Sequence, residues 1–279
     1  MTAAAPASAA GTPAAARRRR PPRWAGVAVA TGAGRMLAAR GELVMGMAIQ
    51  VLIVSAVSAL WRVAVEANGG LLDGYDARSL TWYIAVSEAV YMAVSSRIIE
   101  EIGADIATGA VASEMLRPAP VIGVRLATQF GATLPRAVAN LTAGCGVALV
   151  TVGAPPSWGA LLLALPAIPL GAACNLVAAH AFAGAAFWLR DAGSAWFLYQ
   201  KLIFIFGGML LPLQVLPGPM RAVAFGLPLM TMAYVPARLA SGHVEPFLLL
   251  VQAGWLVVLT VLAAAVFRAG ERRLQTVGG

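Results

Sequence analysis

Glu88 lies inside the apolar stretch "LTWYIAVSEAVYMAV", with Tyr83, Ser87 and Tyr91 at helical spacings around it, and Asn175 and His180 share a second apolar stretch. A carboxylate in such a setting can exchange protons or line the path of a polar group through a bundle interior. A proton relay needs several such groups in series, and this sequence offers few. The plainer use of each is an inter-helical hydrogen bond or a bound water. Nucleotide hydrolysis is excluded more sharply. A phosphate-cradling GxxxxGK[ST] loop needs a lysine, and the one lysine, Lys201, follows "FLYQ". H-E-x-x-H is absent. Cys145 and Cys174 fall in apolar runs, match no metal-ligand spacing and read as small packing residues.

One stretch invites an enzyme reading. Asp73 to Arg78, "DGYDAR", resembles the opening of the D-G-x-x-A-R signature of membrane CDP-alcohol phosphotransferases, which need further carboxylates downstream to hold divalent metals against a diphosphate. The matching positions here are Ser87, Tyr91 and Ser95. The stretch therefore reads as a solvated turn, and a lipid-head-group transferase is the least favoured alternative.

The elements that must position these residues are set by composition. Of the 279 residues 60% are hydrophobic and 11% charged, against about 25% charged in a soluble domain. Apolar runs reach the ~20 residues that a spanning helix needs, so the fold class is all-α integral membrane. The net charge of +8 comes from arginines at the ends of apolar runs, where they orient a membrane protein, and implies no nucleic-acid partner. Residues 1–23 are expected to form a disordered basic cytoplasmic tail that touches anionic lipids. A weakly amphipathic stretch with Arg35 and Arg40 follows, expected to lie along the interface.

Six spans are expected within a domain over 24–268: Leu43 to Val65, Leu80 to Val94, a third after an interfacial lead-in with Pro135 near the junction, Ala160 to Trp188, Phe197 to Leu211, and Phe247 to Phe267. Residues 269–279 form a short tail. Between the fifth and sixth spans, residues 212–242 are broken by prolines too often for one straight helix and read as short re-entrant or interfacial helices. With a cytoplasmic N-terminus, Arg17 to Arg20, Arg23, Arg35, Arg40, Arg97, Arg117, Arg125, Arg190, Lys201, Arg268, Arg272 and Arg273 fall inside, Arg62, Arg78, Arg221 and Arg238 fall outside, and Arg136 is assigned to neither side. That bias predicts both termini in the cytoplasm of a bacterial plasma membrane, and puts His180 and His243 on opposite sides, against a shared metal site.

The segment 98–118, between spans two and three, is then cytoplasmic. Ile98, Ile102 and Ile106 recur every four residues with Glu101 and Asp105 on a neighbouring face, a short amphipathic helix that Gly109 would stop. It is long for a plain connection, and a docking role follows.

The same residues, "IEEIGADIATGAVASEMLRP", resemble the I…DI..G.....LLRP pattern of ABC-2-type permeases, the membrane subunits of one class of ABC exporter. "GGLLDGYDARSLTWY", "GMLLPLQVLPGPM", "LPLMTMAYVPARLASG" and the terminal "RRLQTVGG" agree in order. The resemblance implies a six-transmembrane-helix bundle with a coupling helix between spans two and three and re-entrant helices between spans five and six. It implies that Glu100, Glu101, Ile102, Asp105, Gly109, Arg117 and Pro118 belong to a region docking on a separate ATPase, present in two copies and carrying the ATP and Mg. This chain would hold no cofactor, pair with a second permease, identical or related, and export a hydrophobic or amphipathic small molecule such as a drug. Glu88, Tyr91, Asn175 and His180 are the candidates for the translocation path, and a stand-alone proton-coupled transporter using Glu88 is the alternative.

Overall fold

The computed structural model describes residues 23–111, 120–188 and 192–277, and among them it is all-helical, with an isolated bridge between Leu72 and Tyr75 and no sheet. Among the described residues four helices are long and apolar enough to cross a membrane: Arg40–Ala67, Val121–Val152, Trp158–Phe187 (counting its 3₁₀ extension) and Phe247–Arg273. In chain order the elements are α1 (Arg23–Ala38), α2 (Arg40–Ala67), α3 (Ala77–Ala93), α4 (Ile98–Ala107), α5 (Val121–Val152) and α6 (Trp158–Ala183). The 3₁₀ turn Gly184–Phe187, α7 (Ala192–Phe206), α8 (Gly218–Gly226), α9 (Tyr234–Ala240) and α10 (Phe247–Val277) follow.

Local chemistry sets several of these boundaries. α3 starts at Asp76, whose carboxylate accepts the Ser79 amide at 2.7 Å, and α6 starts at Ser157, whose hydroxyl accepts the Ala160 amide at 3.3 Å; both supply acceptors to otherwise unpaired first-turn amides. At 17 residues α3 is shorter than the four long helices, yet its residues from Leu80 to Val90 are all buried. It packs against α2, α5, α6 and α9 and forms the axis of the bundle. α6 joins two apolar cores. Its first half, with Ala164, Ala167 and Ile168, meets α2, α3 and α9, and its second half, with Leu176, Val177 and Ala183, meets α4, α7 and α10.

Three expected boundaries are corrected. Pro135 does not divide α5, a single helix of 32 residues. Proline removes one donor, and packing of the flanking turns on α1, α2 and α3 holds the rest of the ladder. The fifth apolar run stops being helical at Phe206, because Gly208 adopts φ +66°. The carbonyls released there are taken up by other elements: Tyr83 donates to Gly208, Ser87 to Met209 at 2.7 Å and Trp61 to Leu210 at 3.0 Å. The end of the chain is not a separate tail but a continuation of α10 to Val277. No stop residue intervenes, and Gly270 lets the Phe187 ring lie where a β-carbon would be 2.1 Å away.

The proline-broken stretch forms the 3₁₀ turn Leu213–Val215, α8, a second 3₁₀ turn Pro228–Thr231 and α9. α9 is buried against α3 and α6. Gln252 of α10 secures this region by donating to the carbonyls of Ala167 at 3.1 Å and Thr231 at 2.8 Å.

Candidate functional site

The first half of α2, the end of α3, α5 at Arg136 and Asn140, the second half of α6, and α7 from Trp196 to Phe204 line a cavity of about 700 Å³, within the size range of small-molecule sites. Its deep wall carries Glu88, Met209 and Leu210, and its sides carry Tyr91, Asn175, Trp196, Tyr199 and Phe204. It opens at the end of the bundle that carries α4, where Val94, Ser95, Ser96, Arg97 and Ile99 form its edge. It is also open sideways: Met45 of α2, on its wall, is 62% exposed.

Of the four path candidates, Glu88, Tyr91 and Asn175 meet here and His180 does not. Asn175 is bonded within the bundle, its backbone carbonyl accepting from the Tyr199 hydroxyl at 2.8 Å and its side-chain oxygen lying against the same hydroxyl. Glu88 is different. It is 2% exposed, and its Oε1 has no hydrogen-bond partner. His180 lies in a second cavity, between α1, α4, α5 and α6, together with Trp24, Arg35, Glu101, Asp105 and Arg125. Its Nδ1 is 2.8 Å from the Leu176 carbonyl, so the proton sits on Nδ1, and Nε2 is left as a buried acceptor without a partner.

The sequence reading missed the pair Arg136 and Glu42, 2.6 Å apart on the cavity wall, and the α7 aromatics Trp196 and Tyr199. Arg136 fitted neither side of the arginine count, which was a usable signal. The aromatics carried none, because "AWFLYQK" reads as ordinary interfacial belt.

α4 turns Ile98, Ile99, Ile102 and Ile106 into the apolar core against α6, α7 and the turn Gly184–Phe187. Glu100 and Glu101 are exposed, and Glu101 also lines the second cavity. Asp105 binds Arg125 of α5 at 2.7 Å and so ties α4 to the long helix that follows it. Gly109 has φ +76°, the left-handed conformation suited to a helix stop. Arg117 and Pro118 lie outside the described residues.

At the opposite end of the bundle a polar cluster joins distant segments. Arg238 of α9 donates to the Tyr75 hydroxyl at 2.5 Å and to Glu245 at 2.9 and 3.2 Å. His243 lies on the Tyr75 ring at 4.9 Å; burial, and then the Arg238 charge, push its pKa below the usual histidine range. Asp76, of the transferase-like stretch, caps α3; burial opposes its ionisation, but the Ser79 hydrogen bonds outweigh this and its pKa is lowered. Arg78 donates to the carbonyls of Ala154 and Pro155 at 2.7 and 3.3 Å. Among the described residues no group of three or more His, Cys, Asp or Glu side chains could hold a metal ion.

No curated protein matches the chain. A cavity reaching deep into an apolar helical bundle, bordered by an amphipathic helix that shows acids outward, suits the membrane component of a transporter. The family model described as ABC-2 family transporter protein matches residues 42–278, and the chain belongs to that family, as a multi-pass membrane protein.

Proposed function

We propose that this chain is the permease subunit of an ATP-driven exporter for hydrophobic or amphipathic small molecules, and that the cavity around Glu88 is its translocation path. The observation that carries the reading is the junction between path and helix. Val94 to Arg97, which lead into α4, and Ile99 within it also form the edge of the cavity. Any displacement of α4 by a bound partner therefore changes the mouth of the path directly, and rigid movement of packed helices is an established route from a local push to a change of access.

In this reading α3 and α7 are the second and fifth of six spans, short because α3 is sheathed by other helices and α7 gives way to the unwound segment 207–211. α4 is the cytoplasmic coupling helix. Glu100 and Glu101 supply its outward charge to an ATPase subunit, Ile102 holds it on the bundle and Asp105 passes its movement to α5. Residues 212–242 are the re-entrant segment on the outer side. The ATPase, in two copies, carries the ATP and Mg. A second permease chain closes the sideways opening beside Met45. Both termini are cytoplasmic, in a bacterial plasma membrane.

The test is co-purification with the cognate ATPase, followed by ATP-dependent export. Glu100→Arg with Glu101→Arg is expected to abolish both while the purified chain keeps its thermal midpoint, because both side chains are exposed. Unchanged ATPase association in the double variant would sink the coupling assignment. Transport that persists without any ATPase and is lost in Glu88→Gln would replace it with the proton-coupled reading.

A further inference from the structure

Among the described residues Glu88 is the one acidic side chain buried in this cavity. Three other charged groups line the same space: Glu42, Arg136 and Arg97. Glu42 and Arg136 neutralise each other at 2.6 Å, and Arg97 is exposed at the mouth. One guanidinium nitrogen of Arg136, Nη1, is also buried without a hydrogen-bond partner, but its charge is already balanced by Glu42. Glu88 Oε1 has neither a hydrogen bond nor an ion pair among the described residues. Its carboxyl group is the acid at this depth that no described residue pairs.

The remaining walls have a matching character. Tyr91 stands one helical turn from Glu88 on α3, and Trp196, Tyr199 and Phe204 face the cavity from α7. Aromatic faces attract cations, most strongly where water is excluded, and they accept apolar groups equally well. A buried carboxylate among such rings favours one positive charge on an apolar body, and it disfavours an anion.

We propose that the cavity selects lipophilic organic cations, with Glu88 as the charge-reading residue and Tyr91, Trp196, Tyr199 and Phe204 as the aromatic surround. This rests on the cavity being the translocation path, and it narrows the substrate class from amphipathic molecules in general. A molecule of this kind provides the counter-charge that the protein itself withholds.

Equilibrium dialysis of the purified full-length chain in lipid nanodiscs, corrected with empty discs, tests it with three probes. These are tetraphenylphosphonium, its oppositely charged counterpart tetraphenylborate, and the neutral N-phenylnaphthylamine. The chain is expected to prefer the phosphonium, and Glu88→Gln to weaken it by about tenfold or more while leaving the neutral probe unchanged. Glu88→Asp, which keeps the charge, is expected to retain the cation preference, so that a simple packing defect is separated from loss of the carboxylate. Equal phosphonium affinity in the wild-type and Gln chains, with the neutral probe still bound, overturns the cation inference and leaves the path reading in place. Preference for tetraphenylborate overturns it in favour of Arg136. Failure of the wild-type chain to bind any of the three removes the path reading as well.

Discussion

At the scale of single residues, the acids of this chain divide by what answers their charge. Asp105 and Glu42 have arginines within 2.7 Å, Glu100 and Glu101 have solvent, and Glu88 Oε1 has no hydrogen bond. Asp76 is answered by the start of a helix, which gives it a measurable role apart from transport. Asp76→Ala is expected to cost about 1 kcal/mol through the lost cap, whereas Asn caps as well as Asp does and Asp76→Asn should be near neutral at pH 7. The lowered pKa of Asp76 in the folded chain means that its ionised form is stabilised by folding. That contribution is present above the ordinary aspartate value and is lost as pH falls through the lowered folded value. Thermal midpoints of the three chains between pH 7 and pH 3 check this: the Asn and Ala profiles should lack the acid-side decline that the wild-type chain owes to this group. Transport at pH 7 by Asp76→Asn should equal wild type, and its loss would return weight to a catalytic reading of "DGYDAR".

At the scale of elements, the small residues decide how closely helices approach. α1 crosses α5 so tightly that a β-carbon on Gly32 would stand 1.8 Å from the Thr128 carbonyl oxygen, and one on Gly131 2.0 Å from that of Val29. Both obstacles are backbone, which cannot rotate away. Gly131→Val is therefore expected to separate α1 from α5 at a cost of about 1–3 kcal/mol, read as a lower thermal midpoint and faster hydrogen exchange over 24–38. Gly146→Val on the same helix has open space within 4 Å and serves as the control. The contrast between two glycines fifteen positions apart on α5 was not legible in the sequence, which does not show which backbone each one faces. What was legible followed from periodicity. The four-residue recurrence of Ile98, Ile102 and Ile106 gave α4 and its buried face, and the prolines after Leu211 gave the broken segment. Helix ends were harder. Phe206 ends α7 because side chains of α2 and α3 accept the burden of the freed carbonyls at 208–210, a tertiary fact with no local trace. The candidate path was half legible for the same reason: Glu88, Tyr91 and Asn175 stood out as polar groups in apolar runs, while the α7 aromatics and the Arg136–Glu42 pair acquire meaning only when the helices are brought together.

At the scale of the whole molecule, the bundle is open at one end and tied shut at the other. The cavity reaches α4 at its mouth, and its floor at Met209 and Leu210 is fixed by Ser87 and Trp61. Beyond that floor Tyr75, Arg238 and Glu245 connect the loop before α3 to α9 and to the turn before α10. Under the proposed transport function, access from the far side requires this cluster to loosen while the α4 end narrows. Removing it should shift the balance without touching the cavity. Tyr75→Phe with Glu245→Gln keeps the shapes of both side chains but deprives Arg238 of its hydroxyl acceptor and its counter-charge. Losing the partners of a partly buried charge costs more than the bonds themselves contribute. The expected result is faster hydrogen exchange in 207–216 and 234–246 of the variant, with exchange in α4 and α6 unchanged and phosphonium affinity at the cavity within about twofold of wild type. Exchange that rises throughout the chain would mean that the cluster holds the fold as a whole; exchange that stays flat would mean that the far end is closed by the apolar packing of α9 against α3 and α6, and that the polar cluster is not what opens.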